Sequence, residues 1–358
     1  MKLIVTAGGQ GTKVWPLSRE AKPKQFQSLV GKISSYKQAV STLLKAYKAS
    51  DIYISTKKRY ASIASRQSPE IPKENYIFEP DIAKDRGPGE GIAFITLNQK
   101  HPDEPFMIIQ ADNLRLPEEK FLKTIEEAEK IEKRDKKFMS GGVKATYPIL
   151  GIDYLRLGKR IRGNDIEIYQ TDEFIPRVDD YHQTKDLINN FHVATHSNHN
   201  CWYPGLMLEA YKKHRPDWYQ SLLRIGDLLN KPGSDSRIDE IYSQMEAGGT
   251  ELVTSHVFKD GYTILLPFKW IDFGTWDSVY EFADPQGEVS VDGEVIAIDT
   301  KNSLIKSTNA KKIIAVCGVE NLVVVDTKDA LLVCRKDRSQ DVKQIIALLK
   351  QKNMNKFL

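Results

Sequence analysis

The sequence predicts an α/β fold in which a mostly parallel, Rossmann-like sheet carries helices on both faces, followed by a small C-terminal β-solenoid-like domain. Short apolar runs, of which Leu3-Ile4-Val5 is the first, are typical of buried parallel strands. They alternate with segments of helical period, which favours open βαβ units. After residue 288 the pattern changes to short apolar runs separated by turn residues. That spacing predicts a separate β-domain.

The elements follow from periodicity along the chain. The helices are predicted where apolar residues recur at helical spacing. Pro216 should break the predicted helix at 206–229. The predicted strands lie at 3–5, 51–55, 76–81, 106–112, 138–143 and 263–266, and the predicted helices at 34–47, 91–97, 117–134, 206–229, 237–245 and 339–350. We expect a first domain at 1–285 and a second at 286–358, in keeping with about two domains for this length.

Composition excludes several classes of partner. The chain has 52 basic and 48 acidic residues and a net charge of +4. Its lysines form no long basic run, so neither nucleic acid nor membrane is expected as a partner. The apolar runs fall short of the roughly 18 residues that a membrane helix needs. Three widely spaced cysteines without a C-x-x-C pair fit a reducing compartment, which predicts a cytoplasmic protein.

The first strand leads into a glycine-rich segment that predicts an anion site. Gly8, Gly9 and Gly11 let backbone N–H groups approach a ligand closely, and Lys13, Arg19 and Lys24 follow in the same segment. The dinucleotide fingerprint fails because Val14 stands where its third glycine belongs. The P-loop pattern fails because the loop runs Gly11-Thr12-Lys13. We therefore expect a nucleoside triphosphate held in another way.

The stretch GGQGTKVWPLSREAKPKQF closely resembles the signature of sugar-1-phosphate nucleotidyltransferases, in particular mannose-1-phosphate guanylyltransferases. Lys13 stands where that family usually has arginine, which keeps the charge but loses the bidentate fork. The resemblance implies a glycosyltransferase-A-like fold and catalytic roles for Lys13 and Lys24. It also implies that the nucleotide is bound by Ala7, Gly8, Gly9, Gly11, Thr12, Lys13, Glu79 and Arg86.

Two aspartates are candidate metal ligands. Asp112 ends the strand at 106–112, and ligands of open α/β sheets bind beyond the carboxyl ends of strands. Asp272 lies in WIDFGTW, which resembles the W-x-D-x-G-T/S-W motif of the same family. The resemblance implies that both carboxylates hold Mg²⁺, a cation that prefers oxygen ligands. A turn or a helix cap is the structural alternative for each aspartate.

The sugar side resembles the family less closely. Gly151 and Asp153 stand where a G-Y-G-Y-I-like segment is expected, and Glu173 lies near the place of an F-x-E-K-P segment that is missing. Asn198 would take the place of the sugar-contacting Asn in W-N-S-G-M-F. Those four residues are therefore the candidate sugar-binding residues. Zinc bound by His196, His199 and Cys201 is an alternative, although their spacing fits none of the common zinc patterns.

The resemblance implies transfer of GMP from GTP to a sugar 1-phosphate, most directly mannose 1-phosphate, with release of pyrophosphate. Two alternatives stay open at this point. One is a nucleotidyltransferase for a different sugar phosphate or nucleotide, and the other is a non-catalytic protein that binds nucleotide sugars. Apolar faces on the small C-terminal domain should pack on the main domain or on a second copy, which leaves a homodimer open.

Overall fold

The computed structural model describes residues 1–9, 11–163, 165–229, 231–283, 288–309 and 311–358. The strands are β1 (Lys2–Thr6), β2 (Ile52–Lys57), β3 (Tyr76–Glu79), β4 (Phe106–Gln110), β5 (Asn113–Leu116), β6 (Met139–Lys144), β7 (Tyr154–Gly163), β8 (Glu167–Ile175), β9 (Val193–His196), β10 (Cys201–Trp202), β11 (Tyr262–Leu265), β12 (Lys269–Asp272), β13 (Ser290–Asp292), β14 (Val295–Ile298), β15 (Leu304–Ser307), β16 (Ile314–Cys317), β17 (Leu322–Asp326) and β18 (Leu331–Arg335). The helices are α1 (Ser35–Leu43), α2 (Ala61–Gln67), α3 (Arg86–Lys100), α4 (Glu118–Asp135), α5 (Tyr181–Asn190), α6 (Pro204–His214), α7 (Pro216–Gly226), α8 (Asp235–Gln244), α9 (Glu251–Thr254), α10 (Trp276–Ala283) and α11 (Val342–Gln351).

The main sheet has the strand order β11-β8-β7-β9-β6-β10-β4-β1-β2-β3. Its four strands β3, β2, β1 and β4 are parallel, and Leu3 pairs with Ile52 on one side and with Met107 on the other. Beyond β4 most pairings are antiparallel, and β11 also pairs with β6 in parallel. The predicted fold class is confirmed, with the parallel part concentrated in the half of the sheet that begins the chain.

Side-chain alternation along β1 divides the core between the two faces of the sheet. Leu3 and Val5 pack on one face with residues of α1 and α4, whereas Ile4 packs on the other face with residues of α3, α6 and α7. All three side chains are fully buried. The strand reads as a continuous apolar run because helices cover both of its faces.

A short two-stranded ladder lies outside the main sheet. Strands β5 and β12 pair antiparallel, and Asp272 lies opposite Asn113. Because Asn113 directly follows Asp112, this register brings two segments that are 160 residues apart in sequence to one place. The ladder is therefore the element that positions the two candidate metal ligands.

The C-terminal strands stack in parallel coils. β13, β15 and β17 pair in parallel, and β14 pairs in parallel with β16. This arrangement confirms the predicted β-solenoid-like domain. Its inner face shares a core with Val14, Trp15 and Trp276, and the indole of Trp276 donates a hydrogen bond of 2.9 Å to the carbonyl of Trp15. The predicted boundary at 285/286 falls in 284–287, outside the described residues, and stays a prediction.

Several local expectations are met. Pro216 separates α6 from α7, and α11 begins at Val342, after a 3₁₀ turn at Lys336–Asp341. The three cysteines are free thiols. Among the described residues, every helix is too short or too polar to cross a bilayer.

Candidate active site

The glycine loop after β1 is held in place by side chains from elsewhere in the chain. The amide of Gln25 donates to the carbonyl oxygens of Ala7 at 2.8 Å and Gly9 at 2.9 Å. The hydroxyl of Thr56 donates to the carbonyl of Ala7 at 3.0 Å. Because side chains donate hydrogen bonds to these two carbonyl groups, the backbone of the described part of the loop is held in position at the edge of the sheet.

Gly11 is required by both its backbone and its neighbour. Its φ is +59°, a conformation that glycine adopts without the Cβ penalty. A Cβ atom there would lie 2.4 Å from Cγ of Lys24. The stem of Lys24 therefore passes directly over Gly11 on its way to the site.

Lys24 joins the two candidate metal ligands. Its Nζ lies 2.8 Å from Oδ2 of Asp112 and 2.9 Å from Oδ1 of Asp272. Burial alone would lower the pKa of Lys24, but the two carboxylates outweigh it and hold the pKa above its ordinary value. The structure thus brings three of the predicted site residues together around one positive charge.

Arg115 was not among the predicted site residues, yet it fixes the turn that carries Asp112. Its guanidinium is buried and donates to the carbonyl of Gln110 at 2.9 Å and to the carbonyl of Asn113 at 3.1 Å. These acceptors lie on either side of Asp112 in sequence. In sequence Arg115 stands between Leu114 and Leu116, and strand alternation predicts the outward face for it, so no sequence signal indicated this role.

A cleft of about 320 Å³ extends from this site along the carboxyl ends of the parallel strands. It is lined by the glycine loop, by the end of β3 and by the start of α3, and Asp112 lies in its wall. Position and composition are those of a ligand site in an open α/β sheet. The lining contains Ala7, Gly8, Gly9, Glu79, Arg86 and Asp112 from the predicted set.

The carboxyl group of Glu79 is tightly enclosed within this cleft. A Cβ on Gly8 would lie 2.7 Å from its Oε1, and a Cβ on Gly89 would lie 2.8 Å from its Oε2. Burial raises the pKa of Glu79 to about 7, although nearby Lys57 opposes the shift. Glu79 therefore changes charge near neutral pH, in the place where the resemblance puts the base.

The remaining predicted nucleotide residues are placed differently. Arg86 begins α3 in the cleft wall, where its guanidinium forms an ion pair with Glu251. Burial would lower its pKa, but Glu90 and Glu251 raise it above the ordinary value. Lys13 is exposed and does not line the cleft. The side chain of Thr12 lies outside what the structure describes.

The four predicted sugar residues are not all brought together. The carbonyl of Asp153 accepts a hydrogen bond of 2.9 Å from the backbone N–H of His196. Gly151 is nearby in the preceding turn, with φ +72°. Glu173 instead forms an ion pair with Arg156 on the half-exposed β7–β8 hairpin, and the structure does not bring it to the cleft.

Asn198 has a backbone conformation that shifts the expected register. Its φ is +59°, which favours glycine, and Ser197 precedes it. In W-N-S-G-M-F the glycine follows the serine, so Asn198 corresponds to that glycine and His196 to the asparagine. The structure thus favours a register two residues away from the predicted one. The carbonyl of Asn198 accepts from the side-chain amide of Gln110 at 2.6 Å.

The three residues of the zinc alternative have different surroundings. Nε2 of His199 lies 2.9 Å from Nε of Arg115, and its Nδ1 lies 3.0 Å from the Ser197 hydroxyl. Cys201 is buried in strand β10, and burial holds the pKa of its thiol well above the ordinary value. The potential metal cluster found among the described residues instead combines His196 with Asp153 and Glu251.

Arg19 does not join the other cations of its segment. Its guanidinium donates to the carbonyl of Phe357 at 2.6 Å and forms an ion pair of 2.8 Å with Asp329. The indole of Trp15 donates to the same Phe357 carbonyl at 2.7 Å. The expectation that Arg19 lies with the phosphate-binding cations is therefore corrected: it ties the signature segment to the C-terminal part of the chain.

Fold and site together define a protein of the nucleotidyltransferase type. Residues 2–146 match the family model described as nucleotidyl transferase, and residues 293–349 match the model described as MannoseP isomerase/GMP-like beta-helix domain. The C-terminal match covers most of the β-domain and the greater part of α11.

Several relatives are named mannose-1-phosphate guanylyltransferases. One from Escherichia coli is 28% identical over 96% of this chain and 74% of its own length. RfbM of Salmonella typhimurium, which carries the same name, is 28% identical over 99% of this chain and 73% of its own. The alginate biosynthesis protein AlgA of Pseudomonas aeruginosa is 26% identical over 96% of this chain and 71% of its own.

Solved structures show the same fold. A Thermus thermophilus protein described as mannose-1-phosphate geranyltransferase superposes with a TM-score of 0.83 at 20% identity, covering 98% of this chain and 99% of its own. A Helicobacter pylori mannose-6-phosphate isomerase structure gives 0.58 at 14% identity, covering 75% and 98%. The comparisons confirm the predicted resemblance, the fold class and the class of enzyme, a nucleotidyltransferase.

Proposed function

We propose that this chain transfers GMP from GTP to mannose 1-phosphate, giving GDP-mannose and pyrophosphate. One observation carries the proposal: Lys24 lies between the carboxylates of Asp112 and Asp272 at the edge of a cleft that the glycine loop lines. Relatives named mannose-1-phosphate guanylyltransferases support the choice of substrates. Such a set of charges can position and neutralise anionic reactants, and a sugar 1-phosphate is itself a nucleophile, so no enzyme nucleophile is needed.

The donor set fits Mg²⁺. Two carboxylate oxygens lie within 2.9 Å of one ammonium nitrogen, so a cation between them is already part of the geometry. Mg²⁺ is bound in proteins through one or two carboxylates, with substrate phosphates and water completing its ligands. We propose that Asp112 and Asp272 would hold Mg²⁺, which would supply positive charge to the phosphate oxygens in the transition state.

The reaction requires positioning and neutralisation of charge. A phosphate oxygen of the sugar 1-phosphate forms a new bond to the α-phosphorus, while the bond from that phosphorus to the oxygen bridging to the β-phosphate breaks. Pyrophosphate leaves with the electron pair. Backbone N–H groups of the glycine loop and the ammonium of Lys24 would hold the triphosphate in line for this displacement. Lys24 must then leave the carboxylates for the phosphates as the nucleotide binds.

Glu79 supports guanine as the base. Its carboxyl group lines the cleft between Gly8 and Gly89, where a Cβ at either position would lie within 2.8 Å of a carboxyl oxygen. A carboxylate only accepts hydrogen bonds, and the Watson–Crick edge of guanine presents two neighbouring N–H donors. Such a pairing selects guanine, because the corresponding edges of adenine and uracil do not present two adjacent N–H donors.

A different sugar 1-phosphate is the second candidate, and the placement of Glu173 favours considering it. With Glu173 on the hairpin surface, the sugar-binding residues expected from the sequence are incomplete. Pyrophosphate release with GTP and mannose 1-phosphate is the test of the main proposal. Parallel reactions should replace mannose 1-phosphate by glucose 1-phosphate or galactose 1-phosphate, and GTP by ATP or UTP. Release with GTP and mannose 1-phosphate at a rate below the other pairs would overturn the substrate assignment.

We also propose a cytoplasmic location and leave assembly as a prediction. Three free thiols fit a reducing compartment. Exposed apolar residues on the β-domain, among them Ile296, Ile298 and Val333, offer a surface for a second copy of the chain. Light scattering across a range of protein concentrations would measure the predicted homodimer.

A further inference from the structure

The guanidinium of Arg115 is a positive charge buried beneath the proposed metal site. The residue lies on β5, is 5% exposed and does not line the cleft. Burial lowers its pKa to about 9, although the charge of Asp112 opposes the shift, so the side chain stays charged at neutral pH. A charge in such a place costs free energy, and its contacts show what the charge does there.

Neutral groups surround this charge. Among the described residues Arg115 forms no ion pair, because the near carboxylate oxygen, Oδ2 of Asp112, lies against Nζ of Lys24 at 2.8 Å. The Cζ atom of Arg115 lies 4.9 Å from the centre of the Phe121 ring, which is a cation–π contact. Apolar residues of similar volume often replace buried charges without loss of stability. Stability alone therefore does not account for an arginine at this position.

Three hydrogen bonds from Arg115 hold the turn between β4 and β5. The guanidinium donates to the carbonyl of Asn113 at 3.1 Å, to the carbonyl of Gln110 at 2.9 Å and to Oε1 of Gln110 at 3.2 Å. Asp112 lies between these two acceptor residues in sequence. The donors of a guanidinium have a fixed planar geometry, so both ends of the turn are held at a set separation.

The same contact acts on Asp272. Asn113 lies opposite Asp272 in the β5–β12 ladder, and Arg115 lies opposite Trp270 two positions further along. A shift of the Asn113 backbone would therefore move the Asp272 segment as well as Asp112. Because Mg²⁺ demands near-ideal octahedral geometry, a small displacement of either carboxylate would weaken its binding.

His199 holds the guanidinium in its orientation. Nε of Arg115 lies 2.9 Å from Nε2 of His199, and arginine has only donors, so Nε2 accepts. Nδ1 then carries the imidazole proton and donates it to the Ser197 hydroxyl at 3.0 Å. Burial and the charge of Arg115 hold the pKa of His199 well below its ordinary value, which keeps the ring neutral. The imidazole is thus a fixed acceptor that prevents the guanidinium from turning away from Gln110 and Asn113.

We propose that Arg115 is a positioning residue for nucleotidyl transfer, whose guanidinium holds the backbone on both sides of Asp112 so that Asp112 and Asp272 present their carboxylates to one divalent cation. The inference rests on the proposed function. Arg115 touches neither the cation nor the nucleotide in this account. It acts through the turn and through the ladder that the turn begins.

A purely structural role is the competing explanation, and three variants separate the two. Arg115→Lys keeps the charge, but one ammonium group cannot reproduce the planar fork. Arg115→Met removes the charge and leaves the imidazole acceptor of His199 unpaired. The double variant Arg115→Met/His199→Leu removes that acceptor too, so it should recover stability without recovering the hold on the turn.

The experiment measures Mn²⁺ binding to the complex of the protein with GDP by electron paramagnetic resonance, which does not depend on turnover. We expect all three variants to weaken Mn²⁺ binding at least tenfold and to lower kcat by a similar factor, with KM for GTP within threefold of wild type. Arg215→Met is the matched control, because Arg215 also lies over an aromatic ring, with Cζ 3.8 Å from the centre of Trp218, but outside the cleft. Its loss should lower the melting temperature and leave Mn²⁺ affinity within twofold of wild type.

Each outcome decides between the two roles. Mn²⁺ affinity within twofold of wild type in Arg115→Lys and Arg115→Met, with pyrophosphate released by the wild type, would overturn the positioning role and leave the proposed function standing. Recovery of both the melting temperature and the Mn²⁺ affinity in the double variant would also overturn it, and this variant decides the matter if a single variant does not fold. Wild type that binds Mn²⁺ more tightly than the variants but releases no pyrophosphate would overturn only the proposed function.

Discussion

A Cβ atom on Gly11 would lie 2.4 Å from Cγ of Lys24, so these two residues can pack only while position 11 has no side chain. The relationship explains why a glycine and a lysine 13 positions apart belong to one signature. Gly11 provides the space through which Lys24 reaches Asp112 and Asp272.

Gly11→Ala should displace Lys24 and lower kcat/KM for GTP by at least tenfold. Steric displacement adds to the left-handed backbone cost of about 1–2 kcal/mol. Gly31→Ala is the matched control, because Gly31 also has a positive φ, +69°, while its Cβ would meet nothing within 4 Å. Steady-state kinetics on both variants separate the two effects. Equal losses in both would show that backbone strain, not the path of Lys24, matters at Gly11.

GTP binding should weaken as pH falls through 7. The pKa of Glu79 is raised to about 7, so the carboxylate that accepts from the base predominates above that pH and the neutral acid below it. From pH 8 to pH 6 we expect KM for GTP to rise by roughly tenfold, as expected for loss of one proton-sensitive acceptor.

Glu79→Gln provides the control for this pH dependence. Its amide does not titrate, so KM should be high and nearly constant across the same range. Any pH dependence of KM that persists in Glu79→Gln arises from the triphosphate or from other groups. If KM of the wild type depends on pH no more steeply than KM of the variant, Glu79 does not take part in base recognition.

Arg19→Ala should lower stability and leave the chemistry intact. The variant loses a part-buried charged hydrogen bond to Phe357, worth roughly 1.5–3 kcal/mol, and an exposed ion pair with Asp329, worth less than about 1 kcal/mol, so a total loss of about 2 kcal/mol is expected. Because Arg19 lies away from the cleft, KM for GTP should stay within twofold below the melting temperature. Arg134→Ala, which removes an exposed arginine paired with its neighbour Asp135, should change neither quantity. A tenfold rise in KM for Arg19→Ala would contradict this assignment and indicate that Arg19 contacts the phosphates.

The sequence predicted the fold and the two aspartates because both signals are local. Asp112 ends an apolar strand, and Asp272 lies in a compact motif, so each could be recognised without its partner. That the two meet depends on the register of β5 against β12, a non-local pairing that periodicity does not reveal. For Arg19 the local signal was misleading, because its proximity to the glycines in sequence suggested a contact that is not formed in the fold.

The cluster of Asp153, His196 and Glu251 could not be predicted as a unit, because its residues come from three separate segments. Glu251 belongs to a four-residue helix whose sequence shows no periodic pattern, and His196 stood in a stretch that suggested zinc. The positive φ of Asn198, which sets the register of that stretch, is visible only in the structure.

Pyrophosphate release by Asp272→Ala at saturating Mg²⁺ tests the central claim most directly. Removal of one of two metal ligands should reduce the rate more than a hundredfold, while Asp165→Ala, which removes an exposed carboxylate paired with Lys123, should leave it unchanged. An unaltered melting curve would verify that the variant is folded. We predict a rate below one hundredth of wild type, and retention of more than one tenth would contradict the assignment of Asp112 and Asp272 as the metal site.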